Sequence, residues 1–191
     1  MKKLVLTFAA TLFIFGFTFA TVVDNDNEST SHQVSIKINT HALVDVEDAN
    51  GEATTINLNP TAPTEAGLGL DFSNSTDNSL WLNYSSIVSG KNERSVSASI
   101  SGNLPNGVSL SLATGDDAGK GKGKTGEAVN DAQVLTSSGT PIVSKIGSCY
   151  TGTGDQAGNN LTYSLKMDES KYDKLVSGTY SITVNFTITE D

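Results

Sequence analysis

The sequence GTYSITVNFTI occupies residues 178–188 and alternates without a break between apolar and polar side chains. The apolar members of the series are Tyr180, Ile182, Val184, Phe186 and Ile188. Because successive side chains of a β-strand point to opposite faces, the pattern predicts a strand with one buried face and one hydrated face. The chain therefore ends in a half-buried strand, and the fold is built outward from this type of element.

Further segments that predict strands, most of them alternating, recur along the chain. They occupy residues 34–39, 42–46, 54–58, 70–72, 80–84, 96–100, 108–112, 142–146 and 161–167. Residues 96–100 and 108–112 are joined by GNLPNG at 102–107, where Asn-Gly is a strong turn signal, so the sequence predicts a β-hairpin here. Short strands between turn signals, with no long helical period, predict a single antiparallel β-sandwich, with a barrel as the alternative.

The segments between these strands contain turn and loop residues. EDANG at residues 47–51 predicts a turn, and residues 59–69, with two prolines and two glycines, predict an irregular connection. Residues 115–126, in which three lysines alternate with glycines, predict a mobile loop, and 151–160 predict a second Gly/Asn-rich loop. Residues 127–135 have the composition of a short helical turn, although nine residues are marginal for a helix.

Trp81 is the single tryptophan and lies inside an apolar run. A lone tryptophan in such a context favours a core position, so we expect Trp81 to be a core anchor. The functional alternative is an exposed platform on which a sugar ring stacks.

Residues 1–20 have the charged, apolar, small-residue order of a cleavable signal peptide. Lys2 and Lys3 precede the apolar stretch, which ends at the small residues Thr18 and Ala20. An uncleaved anchor is the alternative, since about 17 apolar residues can span a bilayer. The acidic residues that follow favour cleavage.

Cleavage after residue 20 would make Thr21 the first mature residue. Residues 21–32 are polar and acidic and predict a flexible leader, and residues 33–191 have the length of one domain. We expect an exported protein located outside the cell, on its surface or in a periplasm, without membrane insertion after signal cleavage.

The formal net charge of the chain is −9, and loss of the two lysines of the signal peptide would make it −11. Such a charge repels phosphate backbones and anionic lipid surfaces. Nucleic acid is therefore excluded as a partner class.

AGKGKGKT at residues 118–125 fits a relaxed phosphate-loop pattern. A phosphate loop needs a preceding parallel strand and a long following helix whose N-terminus faces the phosphates. The surrounding sequence predicts alternating strands and Gly-rich connections instead, so we interpret the three lysines as solvated loop charges.

No catalytic, cofactor-binding or metal-binding residue is predicted, and no cofactor is expected. Asp48, Asn50 and Gly51 resemble the middle of a calcium loop, but the first and last ligand positions fall on Val46 and Asn57. A looser calcium site that uses Asp45, Glu47 or Asp48, or Asp116 and Asp117, stays open. The interpretation of these acids as solvated turn residues is favoured.

The chain has too few histidines and cysteines for a zinc site or an intramolecular disulfide. His32 and His41 are the two histidines and Cys149 is the single cysteine, so zinc lacks a ligand set and no intramolecular disulfide can form. Nothing local marks Cys149 as activated, although a Cys–His dyad formed by the fold stays open. We expect Cys149 to be a buried filler beside Ile146 and Tyr150, and a free or intermolecularly paired thiol is the alternative. The chain is accordingly not expected to be an enzyme.

Residues 34–58, VSIKINTHALVDVEDANGEATTINL, resemble the opening of fimbrial major subunits of the colonisation-factor type. In those pilins an alternating strand is followed by a short apolar-acidic segment, a D-x-N-G-like turn and another strand. The closing sequence at 178–188 is similar to the last strand of many such pilins. The resemblance implies an immunoglobulin-like or pilin-like sandwich that assembles by exchanging strands between subunits. The Gly-rich segments 115–126 and 151–160 depart from the family pattern and leave the assembly mode open.

Three functional hypotheses follow. The first is a cell-surface structural subunit or adhesin that joins itself or other surface subunits by strand addition. The alternative is a monomeric secreted module that binds glycans or another surface ligand. The third, least favoured, is an unrecognised hydrolase.

Overall fold

The computed structural model of the protein describes residues 29–191. The expected signal peptide and most of the expected leader lie outside the described residues. Residues 29–40 contain no strand, and each of them is exposed. The sequence predicted a strand at 34–39, and that prediction is wrong for the isolated chain: the first strand begins only at His41.

Eleven strands and one short 3₁₀ helix follow within the described residues. The strands are β1 (His41–Glu47), β2 (Thr76–Ile87), β3 (Arg94–Ser101), β4 (Val108–Asp117), β5 (Lys122–Gly123), β6 (Glu127–Ala128), β7 (Gln133–Val134), β8 (Thr140–Ile146), β9 (Cys149–Tyr150), β10 (Asn159–Met167) and β11 (Thr183–Glu190). The 3₁₀ helix is Glu169–Lys174, and the carboxylate of Asp168 accepts a hydrogen bond from the backbone N–H of Ser170 at its start.

The strands form two antiparallel sheets that pack face to face, so the predicted β-sandwich is confirmed. In the described residues the larger sheet has the order β5-β9-β2-β10-β4-β7, and the smaller has the order β11-β3-β8-β6. β9 and β10 pair with different parts of one edge of β2, and β1 pairs with its other edge. Buried side chains from both sheets form one core. Its fully enclosed apolar members are Leu82, Leu112 and Leu161 from the larger sheet and Val96, Ala98, Ile142, Val143 and Ile146 from the smaller one.

The predicted hairpin is wrong in its pairing, although both of its strands exist. β3 pairs with β11 and β8, whereas β4 pairs with β10 and β7 in the other sheet. The connection at residues 102–107 therefore crosses the sandwich instead of closing a hairpin. Alternation shows which face of a strand is buried. The pattern is the same whether the next strand in the chain pairs with it in the same sheet or lies in the opposite sheet.

The Gly/Lys segment predicted as a mobile loop is built into the larger sheet. β4 extends to Asp117, and β5 pairs with β9, with Lys122 opposite Tyr150. A Cβ atom on Gly121 would lie 1.7 Å from the carbonyl oxygen of Tyr150, so only glycine permits this approach of two backbones. The helical turn predicted at 127–135 is also wrong, because these residues contain the short strands β6 and β7.

Trp81 was predicted to be a core anchor, and that prediction is wrong. Leu80, Leu82 and Tyr84 of β2 are buried in the sandwich, as their alternation predicted, and Trp81 lies half-buried on the opposite face of the sheet. The core is assembled from aliphatic side chains and from Tyr84 and Tyr163.

Candidate functional site

An elongated groove of about 1020 Å³ opens into the core of the sandwich. It lies between β1, the edge strand of the larger sheet, and β11, the edge strand of the smaller sheet. Within the described chain β1 pairs only with β2 and β11 only with β3, so each presents an edge with backbone groups outside a ladder. The two edge strands lie close together.

The groove is lined mainly by apolar side chains. Its apolar lining includes Val44 and Val46 of β1, Val184 and Phe186 of β11 with the preceding Ile182, and Leu80, Leu110, Tyr163 and Leu165 of β2, β4 and β10. Further apolar lining comes from the connections at residues 70–72, 104–105 and 172–180. Residues 53–60, which belong to no strand, form a further part of the lining. A groove with this lining suits an apolar occupant, because each aliphatic side chain that it takes from water contributes about 1.5 to 3 kcal/mol.

The predicted buried face of the C-terminal strand is the wall of this groove. Val184, Phe186 and Ile188 pack against the core cluster but stay half-buried, whereas Thr183, Asn185 and Thr187 are exposed. The predicted alternation is confirmed for Val184, Phe186 and Ile188, but the strand begins only at Thr183, and Tyr180, predicted on the buried face, is exposed. The burial is incomplete because no strand of the described chain lies along the second edge of β11.

The N-terminal segment has a strand-like sequence but no sheet to join. Val34, Ile36 and Ile38 have 70%, 82% and 77% of their surfaces exposed. Three β-branched side chains in strict alternation are typical of a half-buried strand, yet the segment pairs with no strand of the described chain. Exposed apolar series of this kind mark interaction segments.

The acidic residues near the turn after β1 are used structurally. The carboxylate of Asp48 accepts hydrogen bonds from the backbone N–H of Asn50 at 2.7 Å, from the backbone N–H of Glu52 at 3.2 Å and from Thr54 Oγ1 at 3.2 Å. The bond from the backbone of Asn50 is the main cause of the lowered pKa of Asp48. This residue caps its own turn, which accounts for its resemblance to a calcium-loop aspartate.

The other acids proposed for a looser calcium site are distributed over different structures. Glu47 accepts hydrogen bonds from Asn83 Nδ2 and the backbone N–H of Gly154, and Asp116 accepts one from Asn130 Nδ2. Asp45 caps the backbone N–H of Val46. Across residues 29–191, no three acidic, histidine or cysteine side chains come together as a metal site would require.

Cys149 is buried, as the sequence predicted. Burial, with a smaller effect from the charge of Asp117, raises the pKa of the Cys149 thiol to about 11. A thiol with such a pKa is protonated at neutral pH and is a poor nucleophile. Its neighbour Tyr84 donates from Oη to the backbone carbonyl of Thr125 at 2.6 Å, and burial raises the pKa of Tyr84 above its usual range.

Trp81 lies on the outer face of the larger sheet between two polar residues. In the strand register Glu47 of β1 is opposite Trp81 on one side, and Asn160 of β10 is opposite it on the other. Asn83 Nδ2 holds Glu47 by a 2.9 Å bond, and Asn160 Nδ2 donates to the backbone carbonyl of Asn78 at 2.9 Å. The outer face therefore combines a half-buried aromatic ring with fixed polar groups.

Comparison with family models, with curated proteins and with solved structures gave no match. No helix in the described part of the chain is long and apolar enough to cross a membrane. The groove was not predicted from the sequence as a site. Its signal was the excess of alternating segments, because Val34, Ile36 and Ile38 have the pattern of a strand and find no sheet in the isolated chain.

Proposed function

We propose that this protein is an exported structural or adhesive subunit of the cell surface, without enzymatic activity, that assembles by strand addition. Residues 33–40 of one copy enter the groove between β1 and β11 of the next copy. The observation that carries the proposal is the pairing of an open apolar groove with an exposed alternating segment in the same chain.

The spacing of the two partners supports this assignment. In a strand, alternate side chains are about 6.6 to 6.8 Å apart. Val34, Ile36 and Ile38 therefore repeat at the same interval as Ile182, Val184 and Phe186 along the groove wall. An incoming strand in register would bury three apolar side chains and leave Ser35 and Lys37 toward water.

Backbone groups add to the match. The unpaired edge of β11 or of β1 can accept a ladder of hydrogen bonds from an extended peptide, as in β-augmentation. The sequence QVSIKINT at residues 33–40 contains no proline or glycine that would interrupt such a ladder. Its one charged side chain is Lys37, which is attracted by a chain whose net charge is −9.

A second copy suits the groove better than the segment's own copy. To lie along β1, the chain would have to reverse direction between Ile38 and His41, where β1 begins. Tight reversals favour Asn-Gly or Asp-Gly, whereas the two residues here are Asn39 and Thr40. A β-branched threonine disfavours the positive φ that such a turn requires.

The proposal is tested by two matched substitutions in the donor segment. Ile36→Asp places a carboxylate in the groove and should convert polymers into monomers in size-exclusion chromatography with light scattering. Ser35→Asp adds the same charge one residue away on the outward face and should leave assembly unchanged. A synthetic peptide with the sequence QVSIKINT should bind to the Ile36→Asp variant.

The opposite results are equally clear. If the unmodified chain is monomeric at every concentration and the peptide does not bind, strand addition is wrong. A monomeric binding module then becomes the better hypothesis.

Glycan binding at Trp81 is the second candidate function. It is favoured by the outward position of the indole ring between Glu47 and Asn160, since an aromatic face flanked by fixed hydrogen-bonding groups suits a sugar ring. Retention on a glycan array should then be lost in Trp81→Ala and kept in Leu43→Ala, an exposed residue of β1 on the same face. Equal retention of both variants would exclude Trp81 as the platform.

A further inference from the structure

Residues 53–60, here called the strap, all line the groove and belong to no helix or strand. Ile56 and Leu58 are half-buried and pack against the core cluster, whereas Asn57 and Asn59 are exposed. The strap was predicted as a strand over 54–58, and that prediction is wrong because these residues belong to no sheet. It has the side-chain alternation of a strand without the pairing.

Both ends of the strap are anchored by hydrogen bonds. At the start, Asp48 accepts from Thr54 Oγ1 and from the backbone N–H of Glu52. At the end, the backbones of Thr61 and Asp71 exchange two hydrogen bonds of 2.8 and 2.9 Å.

The middle of the strap is held only by side chains. Between residues 55 and 60, no backbone group bonds to another backbone group of the described chain. The contacts of Ile56 and Leu58 with the core are therefore the attachment of this part. Segments with few backbone hydrogen bonds and few buried apolar contacts open at low free-energy cost.

The strap and the donor segment carry the same pattern. Ile56-Asn57-Leu58 matches Ile36-Lys37-Ile38, and both present two aliphatic side chains on one face. They differ two residues further on, where the strap has Pro60 and the donor has Thr40. Proline has no backbone N–H, so the strap cannot complete a ladder that the donor can complete.

We propose that the strap is an internal placeholder for the groove. In the isolated subunit Ile56 and Leu58 shield the core, and they move aside when residues 33–40 of a second copy enter. This inference rests on the proposed strand addition and adds the state of the groove before assembly. The exchange is favourable because the incoming strand forms a ladder of backbone hydrogen bonds that the strap, which ends in Pro60, does not form.

The experiment uses the full chain carrying Ile36→Asp, which keeps the groove and removes the competing donor. Leu58→Cys is added as a reporter, and the native Cys149 gives little background because it is buried and its pKa is raised. Thiol labelling is followed with and without saturating QVSIKINT peptide, and fluorescence anisotropy of a labelled peptide measures its binding. Peptide binding should raise the labelling rate of the introduced thiol at least tenfold.

The matched control is Asn57→Cys, whose side chain is exposed in the structure. Its labelling should be fast and change less than twofold on peptide binding. In a second arm, the double variant Ile56→Ser/Leu58→Ser should bind the peptide at least fivefold faster than Asn57→Ser/Asn59→Ser.

The outcomes separate the two proposals. If the peptide binds but the thiol introduced by Leu58→Cys stays protected, the strap remains in place and the placeholder is wrong, while strand addition stands. Slower peptide binding by the Ile56→Ser/Leu58→Ser variant would make the strap a wall that the donor needs, which also overturns the placeholder. If the peptide does not bind at all, strand addition fails and the placeholder fails with it.

Discussion

The guanidinium group of Arg94, the first residue of β3, donates a hydrogen bond to the backbone carbonyl of His41, the first residue of β1. The same Nη1 atom lies 3.2 Å from Ser86 Oγ and 3.3 Å from the backbone carbonyl of Ile87, both in β2. A single buried side chain of the smaller sheet thereby ties together the ends of two strands of the larger sheet. It also fixes the residue at which the N-terminal segment leaves the sandwich.

We expect Arg94→Met to lower the free energy of unfolding by about 2 to 4 kcal/mol, because it leaves buried acceptors without a donor. Urea denaturation measures the change. Lys91→Met removes an exposed charge nearby and should alter the stability by less than about 0.5 kcal/mol. Equal effects of the two substitutions would show that the Arg94 bonds contribute nothing specific.

Val184→Asp tests the groove wall. Val184 is half-buried and opposite Ile100 in the register, so a carboxylate there should lower the free energy of unfolding by about 2 kcal/mol or more. The cost is lower than in a sealed core because the groove admits water. Thr183→Asp, on the exposed face, should stay within about 1 kcal/mol of the unsubstituted chain in the same urea titration. Loss of folding in both variants would contradict the assigned faces.

Gly121→Ala tests the packing of the Gly/Lys segment. The added methyl group would collide with the backbone of Tyr150, so we expect a loss of about 1 to 3 kcal/mol in thermal or urea unfolding. The neighbouring Lys122→Ala changes an exposed side chain and should be almost neutral. A neutral Gly121→Ala would indicate that this segment is the mobile loop that its composition suggests.

The thiol of Cys149 should be unreactive in the folded protein. At pH 8 a thiol reagent should react only after denaturant is added, since the folded-state pKa of Cys149 is raised from 9.0 to about 11. Between those two values the unfolded chain loses the proton first, so this group makes stability fall as the pH rises from about 9 to about 11. Unfolding titrations at pH 8 and 10.5 should show that decrease, and it should be smaller in Cys149→Ala.

The export prediction is tested on native material. Mass spectrometry of protein recovered from the cell envelope or medium should give the mass of a chain beginning at Thr21, because Ala20 completes the cleavage pattern. An intact mass that still contains residues 1–20 would make the segment an anchor.

Much of the fold follows from local pattern. The alternation in β2, β10 and most of β11, the short strand β8 and the turn at residues 47–51 were predicted from side-chain polarity and turn chemistry, and the structure confirms them. Partnering did not follow, as β3 and β4 show by lying in different sheets. Trp81 was misplaced for a related reason: an aromatic residue in an apolar run fits either face of its strand.

The candidate site was less accessible to sequence reasoning, because a groove is a property of two strands that are distant in the chain. Val46 and Val184 both line the groove although they are 138 positions apart in the sequence. The sequence did contain the complementary half, the alternating residues Val34, Ile36 and Ile38. It could not show that this segment has no partner in its own chain.

By itself, the sequence determined that this chain is all-β, acidic and poor in metal-binding and nucleophilic side chains, because these properties depend on composition and on a two-residue period. Only the tertiary structure decided which strands pair, that glycines 121 and 123 pass close to a neighbouring backbone, and that a groove lined in part by β1 and β11 opens into the core. The physical reason is that hydrogen bonding along a strand edge is nearly independent of side-chain identity. The choice of neighbours is therefore made by the packing of the whole core and not by any one segment.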